Sequence, residues 1–191
     1  AIGHDAFNAA TTGASVDYNI AIGTDAMGTG VVTGTENVAI GLNAGADLVG
    51  GVRNVFLGPN AGANITEGDG NVAIGDRAMA VGINTVHDSV AIGRQAGEDM
   101  VSSTGSVFIG PYAGQQLVAG NLNIGIGYAS MSGGPATGTN NVCIGNSTGN
   151  DILAGDANVF IGKTAGANAT ATGSGVAIGS SAFSGCTTGD A

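Results

Sequence analysis

The stretch Asn54-Val55-Phe56-Leu57-Gly58-Pro59-Asn60-Ala61-Gly62 is one copy of a unit that recurs along the whole chain. The unit can be written N-[VI]-[AF]-I-G-x-x-A, and we call its glycine the anchor glycine. After a longer first interval, successive anchors follow a near-constant 17–18-residue period: they are Gly3, Gly23, Gly41, Gly58, Gly75, Gly93, Gly110, Gly127, Gly145, Gly162 and Gly179. A near-constant period of this length predicts a solenoid or another repeat array.

A short apolar run with β-branched residues at alternate positions precedes each anchor. In Val38-Ala39-Ile40, Val38 and Ile40 share one face of the predicted strand, and Ala39 lies on the other. These runs carry no charge, so we expect both faces to be covered rather than one to meet water. The Val/Ile face is predicted to fill the inside of each coil. The Ala/Phe face is then predicted to meet another sheet or another chain.

The rest of each unit has its own pattern. An asparagine such as Asn54 opens most of the apolar runs, and stacked asparagines can form a hydrogen-bonded amide ladder. The anchor glycine predicts a tight corner, where the backbone has a positive φ or approaches another coil closely. A small residue such as Ala61 follows three positions later and is expected to point inward. The remaining polar, glycine-rich residues are expected to form a second short strand and an exposed turn.

A longer, 52-residue period lies on top of the short one, as Phe56, Phe108 and Phe160 illustrate. In one interpretation, each 17–18-residue unit is a coil and a three-coil module has been duplicated. In the other, the whole 52-residue module makes one three-sided turn, so that Phe stacks on Phe. Strands about 4.8 Å apart would give a rod of roughly 50 Å in the first case and an object of roughly 17 Å in the second. We favour the rod.

The amino-acid composition argues against several classes of partner. The chain of 191 residues contains 37 Gly, has 4% aromatic residues and no Trp, and carries a net charge of -10. Its only basic residues are Arg53, Arg77, Arg94 and Lys163, which argues against nucleic acid or anionic membrane as a partner. No apolar run has the length of a membrane-spanning helix, so no membrane insertion is expected. Residues 1–191 are predicted to be a single repeat domain, which we expect to be a fragment of a longer array.

The block at residues 37–44, NVAIGLNA, resembles the head repeat of trimeric autotransporter adhesins of the YadA-like type. The variant NVFIGKTAG at residues 158–166 is similar to repeats of phage tail fibres. The resemblance covers essentially the whole chain. It implies a left-handed parallel β-roll, with three chains side by side and the small-residue strand near the threefold axis. It also implies an extracellular structural or adhesive role, on a cell surface or a virion, with a host receptor or glycan as partner.

Residues able to carry chemistry are few. His4 and His87 occupy non-equivalent places in the repeat, and no metal-ligand spacing joins them to a cysteine. Cys143 takes a small apolar strand position, whereas Cys186 lies beyond the last anchor, so no disulfide between them is expected. No nucleophile–base pair or phosphate loop is present. We therefore predict no catalytic, cofactor-binding or metal-binding residues, no cofactor and no enzymatic activity.

A ligand-binding solenoid is the alternative function. The acidic turns at residues 67–69, 88, 98–99 and 151–156 could offer oxygen ligands to calcium, although the nonapeptide of calcium-binding β-rolls is missing. The pairs in Thr33-Gly34-Thr35 and Thr137-Gly138-Thr139 could belong to an ice-binding ladder, which the intervening Thr85-Val86-His87 interrupts. Carbohydrate is the third ligand class considered.

Overall fold

The computed structural model describes residues 1–8, 17–29, 31–81, 85–134, 136–170 and 173–185. Within them the chain forms ten three-residue strands in one parallel sheet, ordered as in the sequence. The strands are β1 (Ile20–Ile22), β2 (Val38–Ile40), β3 (Val55–Leu57), β4 (Val72–Ile74), β5 (Val90–Ile92), β6 (Val107–Ile109), β7 (Ile124–Ile126), β8 (Val142–Ile144), β9 (Val159–Ile161) and β10 (Val176–Ile178). Because each strand pairs with the next one along the chain, the fold is a parallel β-solenoid.

Strand register shows how much sequence makes one coil. Phe56 pairs with Ala39 of the preceding strand and with Ala73 of the following one. One 17–18-residue unit is therefore one coil, and the alternative of a 52-residue turn is wrong. A parallel bridge between Ile2 and Ile22 continues the pairing to the first anchor. The ten strands and nine spacings of about 4.8 Å give the sheet a length of about 43 Å.

The two faces of the sheet are the reverse of the sequence prediction. The middle residue of every strand, such as Ala39 or Phe108, is buried inside the coil. The flanking Val and Ile side chains point outward, and in the last strand Val176 and Ile178 are 66% and 69% exposed. The coil is too thin to hold two β-branched side chains per strand. Its interior instead takes one mostly small residue per strand, facing the corner that follows the anchor.

Large and small side chains alternate across this thin interior. Where the strand supplies Phe56, the position four residues after the anchor is Gly62, and a Cβ there would lie 2.5 Å from the Phe56 ring. Where the strand supplies Ala73, the same position is Met79, which is fully buried. Each of these coils thus holds one large side chain, from either the strand or the corner. The 52-residue period is the repeat of this filling pattern, carried by three successive coils.

The anchor glycines lie where successive coils come closest. Gly41 has φ 139°, and a Cβ there would stand 2.5 Å from the carbonyl oxygen of Gly58 in the next coil. A side chain at this position would therefore force two coils apart. Both sequence expectations for the anchor, positive φ and close backbone approach, are confirmed.

The predicted asparagine ladder is present and buried. The side-chain amide of Asn54 donates to Asn37 Oδ1 at 3.1 Å and to the carbonyl oxygen of Gly68 at 2.7 Å. The Asn54 backbone N–H also donates to Asn37 Oδ1, at 2.9 Å. Ser89 and Ser106 continue the ladder by donating from backbone N–H to the side chain before them. These bonds tie each coil to its neighbours.

The far side of the coil is less regular than predicted. In the described residues, the predicted second strand is replaced by isolated parallel bridges. They join His87 to Thr104, Leu117 to Ala136 and Asp156 to Gly173. The units differ in length by one residue on this side, which interrupts continuous pairing. Single backbone hydrogen bonds, such as Val49 N–H to Thr66 at 2.9 Å, still connect the coils.

Candidate functional site

The outer side of the sheet is an uninterrupted aliphatic surface. We call it the outer aliphatic face and define it as the first and third residues of strands β1–β10. Every one of these residues is Val, Ile or Leu, and strand register stacks them in two columns. Their side chains are half-buried to exposed, with Ile20, Leu57, Ile109 and Ile144 among the exposed ones.

A water-facing sheet surface would ordinarily alternate apolar with polar residues, and this one does not. The columns extend over about 43 Å, with about 7 Å between side chains two residues apart on a strand. Monomeric proteins rarely expose a continuous apolar patch of this extent, and such patches mark interaction sites. The outer aliphatic face therefore has the properties of a contact surface.

A second unusual surface is a group of polar residues beside the corner of the central coils. We call it the polar corner and define it as Arg77, Arg94, Gln95, Glu98, Tyr112, Gln115 and Tyr128. At its centre Glu98 is only 3% exposed. Gln95 Nε2 and Gln115 Nε2 donate to Glu98 Oε2 at 2.6 and 2.9 Å. Arg77 lies 2.6 Å from Glu98 Oε1, which receives no aligned hydrogen bond and is held by charge.

The repeat itself brings these side chains together. The residue two positions after the anchor has a left-handed backbone in every coil, for example φ 57° at Arg77 and Gln95 and 62° at Tyr112. This conformation projects successive side chains from the corner in one row, at the spacing of the coils. Glu98 and Gln115 each lie five residues after their anchors and form the adjoining row. Glu98 consequently reaches partners in its own coil and in the coils before and after it.

The surroundings of Glu98 also change the pKa of the adjacent residue, Asp99. Desolvation raises the pKa of the Asp99 carboxyl above its ordinary value, the negative charge of Glu98 raises it further, and Arg77 opposes the change. Arg77 is thus the cation that offsets two adjacent carboxylates. Its guanidinium is half-exposed, so its outer edge remains open to solvent.

Two tyrosines complete the polar corner. The Arg94 guanidinium lies over the Tyr112 ring, 4.6 Å from its centroid. Tyr112 and Tyr128 from the next coil meet edge to face, with centroids 5.6 Å apart and planes 75° apart. Tyr128 is 52% exposed, so about half of this residue remains accessible to solvent. Cation–π and edge-to-face contacts both orient the rings.

A depression of about 340 Å³ adjoins the polar corner on the side of the preceding coils. Its lining consists of Asn60, Ala63, Asn64, Arg77, Ala80 and Val81. The depression exists because Ala63 and Ala80 occupy, five residues after their anchors, the position that Glu98 and Gln115 fill in the next two coils. Asn43 Nδ2 donates to Asn60 Oδ1 at 3.2 Å and holds one amide of the lining.

The residues considered for metal binding are dispersed. Glu98 is committed to Arg77 and two glutamines, and the Asp69 backbone N–H donates to His87 Nδ1 at 3.2 Å. In the described part of the chain, one group comes together that the sequence prediction missed: His4, Asp5 and Asp25 have ligand atoms within 4.8 Å of one another. Their proximity follows from stacking of the first two corners. The group lies at the surface.

The remaining candidates are also separated by the fold. Thr33 and Thr137 lie six coils apart, about 29 Å at the usual strand spacing. His87 occupies the equivalent position between Thr35 and Thr139, so the threonine ladder is interrupted.

Cys143 is buried in β8, as predicted, and burial raises the pKa of its thiol to about 12. Cys186 lies outside the described residues, so the expectation that it forms no disulfide with Cys143 stays a prediction.

The fold and these surfaces define the class of the protein: it is a parallel β-solenoid repeat protein. Comparison of the chain with protein-family models, curated proteins and solved structures finds no match. The described residues contain no helix with the length and apolar character needed to cross a membrane. Functional assignment therefore depends on the two surfaces described above.

Proposed function

We propose that the chain is a structural and adhesive segment of an extracellular fibre, either a cell-surface adhesin or a virion tail fibre. The observation that carries this proposal is the outer aliphatic face, which extends over all ten strands without a polar interruption. The solenoid would supply rigid extension. Because each coil is bonded only to its neighbours, the array can lengthen by duplication of coils. The variable turns would be displayed along its length.

The partner of the outer aliphatic face is proposed to be the same face of other copies, in a homotrimer. A second copy presents identical columns at the identical coil spacing, so the side chains of two copies can interdigitate along the full length of the sheet. The resemblance to trimeric adhesin heads implied that the small-residue strand positions would lie near the threefold axis. Those positions are filled inside the coil, so the proposal assigns the interface to the Val/Ile columns.

Mass in solution tests this assembly. Light scattering on a column peak should give three times the chain mass of 18.2 kDa for the unmodified protein. Ile92→Glu together with Ile109→Glu places charges in the middle of the outer aliphatic face and should yield the single-chain mass. Ser102→Glu adds a charge at an exposed position away from that face and is the matched control.

Two results would refute the proposed interface. One is a single-chain mass for the unmodified protein at every concentration loaded. The other is an unchanged trimer in the Ile92→Glu, Ile109→Glu variant, because two buried, unpaired carboxylates per chain are incompatible with an apolar interface. Circular dichroism on the same samples checks that the variant keeps its solenoid fold.

A further inference from the structure

The polar corner departs from the period that governs the core. The core residues Phe56, Phe108 and Phe160 recur at the 52-residue period. Arg77, by contrast, has Asp25 and Ala129 at the positions one such period before and after it. Packing of the coils therefore does not require an arginine at this position.

The same holds for the rest of the polar corner. Glu98 is replaced by Ala46 and Asn150 at the equivalent positions, and Tyr112 by Asn60 and Thr164. Two of the three tyrosines in the chain lie side by side in this corner. A local group that breaks the repeat on adjacent coils indicates a local role, distinct from the structural role of the repeat.

The buried Glu98 carboxylate holds this group in a fixed arrangement. Burying a carboxylate is costly unless charge and hydrogen bonds compensate it, and here one guanidinium and two amides do so. Those three partners come from three successive coils. Their side chains are thus ordered before any ligand arrives, which reduces the entropic cost of binding.

Three neighbouring features lie along successive coils: the depression, Glu98 with its partners Arg77, Gln95 and Gln115 (the Glu98 cluster), and the pair Tyr112 and Tyr128. We call them together the strip. The depression lies on the coils anchored at Gly58 and Gly75, and the cluster continues to the coil anchored at Gly110. Tyr128 extends the strip to the coil anchored at Gly127. Four coil spacings give a length of about 19 Å along the solenoid axis. A ligand of this shape would be a chain of several units rather than a single small molecule.

We propose that this strip binds a neutral oligosaccharide of hexopyranose units, lying along the solenoid axis. Sugar hydroxyls both donate and accept hydrogen bonds, which suits the amides of Asn60, Asn64 and Gln115 and the open edge of Arg77. The C–H face of a sugar ring packs against an exposed aromatic ring such as Tyr128. Coil spacing is also close to the spacing of successive rings in an extended polysaccharide, so each coil of the strip can contact a different sugar of the chain.

Charge favours a neutral ligand over an acidic one. The charge of Arg77 is offset by Glu98, its ion-pair partner, and by Asp99, whose carboxyl it influences. The whole chain carries a net charge of -10, which repels a polyanion at long range. This binding site goes beyond the proposed structural role. Its residues lie outside the outer aliphatic face, so either proposal can fail without the other.

Tyrosine emission provides a local measurement, because the chain has no Trp and only three Tyr. Tyr18 is 83% exposed and lies outside the strip, so Tyr18→Phe leaves only Tyr112 and Tyr128 as emitters. This variant is titrated separately with cellohexaose, chitohexaose and maltohexaose. We expect a saturable change in emission with at least one of them. Calorimetry on the unmodified protein then gives the dissociation constant for that sugar.

Two substitutions test which residues bind. Tyr128→Ala and Arg77→Ala should each weaken binding by about tenfold or more, which corresponds to about 1.4 kcal/mol. Arg53→Ala is the matched control, because Arg53 is also exposed and has a similar left-handed backbone, with φ 59° against 57° at Arg77. It should leave binding unchanged. Thermal melts followed by circular dichroism establish that each variant is folded.

The proposal is overturned if none of the three hexaoses gives a saturable change at millimolar concentration. It is equally overturned if Tyr128→Ala and Arg77→Ala bind as tightly as Arg53→Ala. A hexamer of uronic acid units is the charged comparison. Tighter binding of that hexamer than of the neutral sugars would show that the strip recognises anions, contrary to the proposal.

Discussion

Gly114→Ala tests the alternation of large and small residues inside the coil. A Cβ at this position would lie 2.5 Å from Cδ1 of Phe108 and 2.6 Å from Cε1, which is far inside normal contact distance. The ring is fully buried and cannot move away freely. Overpacking of this kind costs about 1–3 kcal/mol. Gly114 also has φ 61°, and an L-residue there costs about 1–2 kcal/mol more.

The expected total is a loss of about 2–5 kcal/mol in unfolding free energy relative to the unmodified chain. Urea denaturation followed by far-UV circular dichroism measures it. Gly173→Ala is the control, because a Cβ there meets nothing within 4 Å and its backbone is not left-handed. That control should change the unfolding free energy by no more than about 0.5 kcal/mol.

A double-mutant cycle with Phe108→Ala separates the clash from the backbone effect. Without the ring, Gly114→Ala should cost only the backbone part, about 1–2 kcal/mol, so the two substitutions should be non-additive. An equal cost of Gly114→Ala with and without the ring would refute the packing argument. Contact between Gly114 and Phe108 would then have no part in the choice of glycine at this corner.

Three further predictions concern the side chains of Asn54, Cys143 and Asp99. Asn54→Ala removes the amide that donates to Gly68 and should lower the unfolding free energy by about 1–3 kcal/mol in urea denaturation, because the carbonyl is left unpaired; an unchanged midpoint would contradict the ladder. In a Cys186→Ser variant, Cys143 should resist an aromatic disulfide reagent at pH 8 until the protein unfolds, since burial raises its pKa to about 12; fast labelling of folded protein would contradict this. The pKa of Asp99 is raised on folding, so its effect on stability is unfavourable once the pH exceeds the ordinary pKa of 3.8. Asp99→Asn should therefore be more stable than the unmodified chain near pH 7, and this advantage should vanish as the pH falls below 3.8.

The regular part of the fold was predictable because it repeats. The anchor glycines gave the coil length, the alternating β-branched residues gave the strands, and Asn54 and its equivalents gave the amide ladder. The prediction of which strand face points into the coil was wrong. Both strand faces are apolar, so hydrophobicity does not distinguish the inner face from the outer one. The distinguishing signal is compensation between positions six residues apart, as in Phe56 with Gly62 and Ala73 with Met79.

The polar corner was missed for a different reason. Its residues do not form a motif along the sequence, because Arg77, Glu98 and Gln115 come from three successive coils and meet only when the coils stack. A search for metal-ligand spacing or a nucleophile with its base does not detect such a group. Aligning the coils by their anchors and asking which positions break the 52-residue period would have detected it.

The two proposals assign different kinds of partner to the two surfaces. The outer aliphatic face is the same on every coil, so a matching partner must itself repeat at the coil spacing, and another copy of the chain meets that condition. The polar corner occurs on a few central coils and is absent from the equivalent coils of the neighbouring modules, so a partner that recognises it must be local. A short oligosaccharide is local in this sense, whereas a second solenoid is not. Lengthening the array by one three-coil module should therefore strengthen self-association and leave the number of sugar sites per chain unchanged.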